Sequence, residues 1–210
     1  MNLPNKITIS RIILAFIILI LIGMDTHILG FNWPVYLIAG RITLKLNYII
    51  AGVLFVIASL TDMLDGKIAR KYNMVTDFGK MVDAIADKML VNSSLIILSS
   101  QGFVSPIITV IIIFRDTVVD TIKMIAGSKG KVVAAIKTGK VKTTFLMLGV
   151  ILTMCYNLPF ELFNLDIASF LLVLATIFAI ISGIQYYIMN KDIIFSKVEI
   201  SASADKKTQK

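Results

Sequence analysis

Six stretches of this chain stay apolar for close to the 20 or so residues that a helix needs to cross a bilayer's hydrocarbon core. They lie near 7–24, 48–69, 78–99, 107–125, 143–156 and 167–189, the fifth being the shortest. A soluble domain of 210 residues has no use for so many, and a hydrophobic fraction of 57% agrees. The expected fold class is therefore all-α, a polytopic membrane protein with six transmembrane helices. Gly30, Gly40, Gly102 with Pro106, the 127–139 region and Pro159 punctuate the runs. One domain over 1–190, followed by a polar tail at 191–210, is the organisation this predicts.

Lys and Arg in short loops mark the cytoplasmic side. Of the 21 such residues, all but Arg41, Lys45 and Arg115 fall on one side of the alternating runs, which puts both termini in the cytoplasm. The net charge of +8 then reflects topology and anionic lipid headgroups. No basic stripe with interleaved aromatics suggests nucleic acid. Cys155 stands alone in an apolar run and His27 is the single histidine, so the chain cannot assemble a His/Cys zinc site. The first run lacks a small-residue cleavage site and reads as an anchor, not a removable signal.

Against this background the segment TDMLDGKIARKYNMVTDFGKMVDAIADK, 61–88, gathers five aspartates. Asp62 and Asp65 are three apart and Asp83 and Asp87 four apart, so each pair shares a helical face. The end of the second span and the start of the third could offer four carboxylates to one cleft, with Asp77 out of register. Gly66 and Ala69 continue the first face and Gly79 the second. Small residues there can serve close helix packing or leave room for a ligand. Like charges so near a membrane need protons or a cation, and an all-carboxylate set favours a hard ion, Mg2+ or Mn2+. The alternative is a loop whose acids pair with Lys67, Lys71, Lys80 and Lys88. Asp77 suits that reading and the other four do not.

Written as Asp62-x2-Asp65-Gly66-x2-Ala69-Arg70-x8-Gly79-x3-Asp83-x3-Asp87, the segment resembles the full signature of the CDP-alcohol phosphotransferases. The resemblance implies six-helix membrane enzymes, usually homodimers, that pass a phosphoalcohol or phosphatidyl group from a CDP-linked donor to a hydroxyl. It implies divalent metal at Asp62, Asp65 and Asp83, with Asp87 near it and acting as general base. It further implies a donor site lined by Asp62, Gly66, Ala69, Arg70 and Gly79. Chemistry supports these roles: a leaving CMP gains charge that metal and an Arg can meet, and the attacking hydroxyl must lose its proton. For Arg70 a topology anchor is the plainer alternative.

NLPNKITISR at 2–11, VVAAIKTGKVKT at 132–143 and NLPFEL at 157–162 resemble blocks of the bacterial members that use sn-glycerol 3-phosphate. The implied donor is CDP-diacylglycerol and the implied product phosphatidylglycerol phosphate. An acceptor with a phosphate calls for a second basic cluster, for which Arg115, Lys123, Lys140 and Lys142 are the candidates. Arg115 lies inside the fourth run, in FRDTVVDTIK, where charge defaults to function or internal pairing. Asp116, Asp120 and Lys123 share one helical face there, so an Asp120–Lys123 pair is the structural alternative.

The chain departs from that group in carrying Ala84 where a proline commonly follows the third aspartate, and in its fourth-run block, which usually reads Arg-Glu followed by TGLR. Other acceptors, namely phosphatidylglycerol, inositol phosphate or serine, keep the same chemistry. A prenyltransferase would need more spans, and a transporter would place its acids at mid-membrane instead of at helix ends.

Overall fold

In the computed structural model, residues 3–24, 33–38, 40, 42–71 and 77–195 are described, with side chains excepted at 3–7, 63–71, 77–78 and 80–81. Each apolar run becomes one helix: α1 Leu3–Gly23, α2 Leu46–Lys71, α3 Asp77–Ser100, α4 Pro106–Ser128, α5 Lys137–Met154 and α6 Ile167–Phe195. The expected tail begins as helix, since α6 continues through 191–195, and 196–210 lie outside the described residues. One element was not expected in an all-α chain. Between α1 and α2, β1 Val35–Ile38 and β2 Ile42–Lys45 pair antiparallel, Val35 opposite Lys45 and Ile38 opposite Ile42. Gly40, at φ +65, supplies the positive φ of the turn, which a side chain would strain.

The helix ends follow local chemistry. Pro106 opens α4, where a missing N–H costs nothing. Gly102 at φ +83 and Gly130 at φ +67 stop α3 and α4, and beyond them the Phe103 and Lys131 amides donate back to the Leu98 and Ala126 carbonyls at 2.9 Å each. Asn157 joins α5 to α6: its amide donates to the Leu165 carbonyl at 2.6 Å, and its Oδ1 accepts from the Ala168 amide at 3.1 Å.

Packing runs α1 against α2 and α3, and α6 against α4 and α5. The core draws on all six helices at helical spacing: Ala15, Ile18 and Ile22 from α1, Tyr48, Ala51 and Phe55 from α2, and Leu172, Ala175 and Ala179 from α6 are typical. Gly149 lets α5 and α6 come close, since a Cβ there would sit 2.8 Å from Leu172 Cδ2. The outer faces are apolar too. Ile13, Phe16 and Ile20 of α1 and Phe170, Ile184 and Ile188 of α6 are all more than half exposed.

Length and composition single out α6, among the described residues, as long and apolar enough to cross a membrane. Within the residues whose side chains are described, the apolar parts of α1 and α2 run Thr8–Gly23 and Leu46–Asp62.

Candidate active site

Successive helices alternate in direction, so the beginnings of α1, α3 and α5 meet the ends of α2, α4 and α6. At the other end Tyr48 and Gln101 hydrogen-bond, and Gln101 Nε2 donates to the Ile22 carbonyl at 2.8 Å. Among the described residues, most of the charged side chains collect at the first end.

There Arg11, on the third turn of α1, is wholly buried and reaches between α2 and α3. Its Nη1 lies 2.5 Å from Asp62 Oδ1, 2.8 Å from Asp83 Oδ1 and 3.4 Å from Asp87 Oδ1. Three of the four aspartates chosen by spacing therefore converge on one cation from two helices, as their shared faces require. They stay accessible, with 24%, 45% and 42% of their side chains exposed against 0% for Arg11. The fourth, Asp65, stands on the backbone of α2 one turn beyond Asp62, but its side chain lies outside the described residues, as do those of Ala69, Arg70 and Asp77 and the environment of Gly66. Gly79 sits in the first turn of α3, partly buried.

The donor chemistry fits a hard divalent ion: every ligand on offer is a carboxylate oxygen, and the group already shares one positive charge. Among the described residues no three acids are spaced as ligands of a single ion. A complete set therefore needs Asp65 or a small turn of the carboxylates toward the open side.

A second cluster adjoins the first. Lys88, the residue after Asp87, pairs with Asp120 of α4. One turn earlier on α4, Asp116 accepts from Lys142 Nζ at 2.8 and 2.9 Å and from Arg115 Nη1 at 2.8 Å. The Arg115 guanidinium is held on its other edge by Ser182 Oγ of α6, at 3.1 Å from Nε and 2.8 Å from Nη2. Tyr186 offers its ring to both Arg115 and Lys123, at 5.6 and 5.7 Å. Two glycines clear the space: a Cβ at Gly139 would lie 3.3 Å from Arg115 Nη2, and one at Gly183 3.2 Å from Arg115 Cγ.

Of the four residues chosen for an acceptor phosphate, Arg115 and Lys142 come together, Lys123 shares Tyr186 with Arg115, and Lys140 is exposed on the first turn of α5. The Asp120–Lys123 pair considered from sequence is replaced by Asp120–Lys88, which ties α4 to α3. Asp116 offsets one of two positive charges, so the cluster keeps a net positive balance.

Sequence reasoning missed Arg11, assigning it to topology, and also Ser182 and Tyr186. The signal for Arg11 was present: it opens an unbroken apolar run, where charge needs a reason as much as at Arg115.

A sequence model of the family described as CDP-alcohol phosphatidyltransferase matches residues 1–184. Among curated relatives, a Bacillus subtilis protein named CDP-diacylglycerol–glycerol-3-phosphate 3-phosphatidyltransferase is 38% identical over 189 residues, covering 90% of this chain and 95% of its own. Proteins of the same name from Mycoplasma pneumoniae and Rickettsia felis are 36% and 33% identical, covering 77% and 89% of this chain and 70% and 93% of theirs.

Proposed function

The chain belongs to the CDP-alcohol phosphatidyltransferase family, and from that premise we propose that it moves the phosphatidyl group of CDP-diacylglycerol to sn-glycerol 3-phosphate. The products are phosphatidylglycerol phosphate and CMP. The names of the relatives support this substrate pair. The observation that carries it is the meeting of Asp62, Asp83 and Asp87 on the open side of α2 and α3, beside a net-positive cluster suited to an acceptor's phosphate.

Asp62, Asp65, Asp83 and Asp87 would hold Mg2+ or Mn2+, whose charge offsets that of the donor diphosphate and of the departing CMP. By the family resemblance, Gly66, Ala69, Arg70 and Gly79 would serve the same diphosphate. The acceptor's hydroxyl oxygen bonds to the phosphorus bearing diacylglycerol as the bond from that phosphorus to the CMP oxygen breaks. The carboxylate of Asp87 takes the hydroxyl proton. Arg115 and Lys142, with Lys123 and Lys140 at the rim, hold the acceptor's own phosphate and so set which hydroxyl is delivered.

Purified protein given CDP-diacylglycerol with glycerol 3-phosphate, phosphatidylglycerol, inositol phosphate or serine in turn is expected to release CMP with glycerol 3-phosphate. CMP release with serine and none with glycerol 3-phosphate would overturn the choice.

The same reading sets all six helices in the membrane, with both termini and the site on the cytoplasmic side and two copies forming a homodimer. Apolar outer faces support immersion, because a water-exposed bundle would carry polar residues there. In a Cys155→Ala background, Lys140→Cys is expected to react with an impermeant maleimide only in inverted vesicles. Leu37→Cys, on the hairpin, is expected to react only from the opposite side. Labelling of both from one side would refute the topology.

A further inference from the structure

We propose that Arg11 is the resident counter-cation of the aspartate cluster, a positioning residue that holds Asp62, Asp83 and Asp87 from the buried side and shares their charge with an exchangeable divalent ion on the open side. The inference rests on the metal-site reading above.

Burial carries the argument. The guanidinium has no exposed surface, whereas the three carboxylates it touches are between a quarter and a half exposed. Arg11 thus approaches from inside the bundle, and its contacts with Asp62, Asp83 and Asp87 each run from Nη1 to an Oδ1. Carboxylates that meet at one nitrogen are close enough to repel strongly in a poorly solvated setting. Without a fixed cation they would splay whenever a divalent ion leaves. Arginine suits the task because it stays charged under burial and its planar fork presents donors in a fixed geometry. Arg11 also comes from α1, which packs on both α2 and α3, so the same contact fixes the two acid-bearing helices relative to each other.

A merely structural staple and a charge-sharing partner give different results when the ion is varied. In purified full-length protein, Mn2+ affinity is measured by calorimetry and melting temperature is measured in EDTA and in Mn2+. Arg11→Met is expected to melt lower in EDTA, to regain most of that loss in Mn2+, and to bind Mn2+ at least about tenfold more tightly, because a fixed positive charge near the ion is gone. Arg11→Lys keeps the charge and is expected to stay within about threefold of wild type in Mn2+ affinity.

Equal Mn2+ affinity and an equal Mn2+-induced rise in melting temperature for Arg11→Met and wild type would overturn the proposal, as would Arg11→Lys binding as tightly as Arg11→Met. If Arg11→Met cannot be isolated, Arg11→Gln takes its place. Recovery of either only in the presence of Mn2+ supports the proposal, and loss of both under either condition makes Arg11 a staple and overturns it. A wild-type protein without any Mn2+ response, or with one that survives Asp83→Asn, sinks the metal-site reading itself.

Discussion

Asp83→Asn is expected to lower CMP release by on the order of a thousandfold, the loss seen when one preorganised electrostatic group is removed from an active site. Asp62→Asn, Asp65→Asn and Asp87→Asn should each do the same. The exchange keeps size and one carbonyl oxygen but removes the charge that both Arg11 and a divalent ion would share. Stability effects must be separated from this. Breaking a buried ion pair can cost about 3–5 kcal/mol, but Asp83 is 45% exposed and water screens much of its pairing, so a folded variant is expected. Asp77→Asn is the counter-case. It opens α3 out of register with Asp83 and Asp87, and its neutralisation should leave activity near wild type. Comparable turnover in Asp83→Asn, or an inactive Asp77→Asn of normal melting temperature, would show that helical register does not select the working acids.

Helical register is legible in a sequence because it needs only local geometry. Spacings of three and four residues fix a helical face before any tertiary contact is known, and Asp62, Asp83 and Asp87 do meet. Apolar runs likewise located six helices, since length and hydropathy are properties of a single segment. What was hidden depends on partners far apart in the chain. Arg11 meets Asp87 across 76 residues, and Arg115 meets Ser182 across 67. Asp120 has Lys123 within reach on its own helix but pairs with Lys88, because α3 brings an ammonium to that face. The hairpin was a different omission: Val35 to Ile38 and Ile42 to Leu44 are mostly β-branched, aromatic or large aliphatic residues around Gly40, a strand signal read only as a break.

Arg115→Met is expected to raise the KM for glycerol 3-phosphate about ten- to hundredfold while leaving the KM for CDP-diacylglycerol near wild type. The magnitude follows from a hydrogen bond to a charged group, about 1.5–3 kcal/mol, at about 1.4 kcal/mol per tenfold. Lys142→Met should act in the same direction but also lower the melting temperature, because its ammonium is almost wholly buried on Asp116. Lys140→Met should have the smallest effect of the three, since that side chain is exposed at the rim. Position and charge can then be told apart at Gly139. Its added Cβ would lie 3.3 Å from Arg115 Nη2, so Gly139→Ala moves the guanidinium by a few tenths of an ångström without removing any charge.

If Arg115 grips the acceptor's phosphate through a fixed fork, Gly139→Ala raises the same KM as Arg115→Met, by less, and spares the donor. If Arg115 only balances Asp116, small shifts are tolerated and Gly139→Ala leaves both KM values unchanged. Equal rises in donor and acceptor KM for Arg115→Met would remove this cluster from the acceptor site and make it part of the bundle's own charge balance, linking α4, α5 and α6 through Asp116 and Ser182.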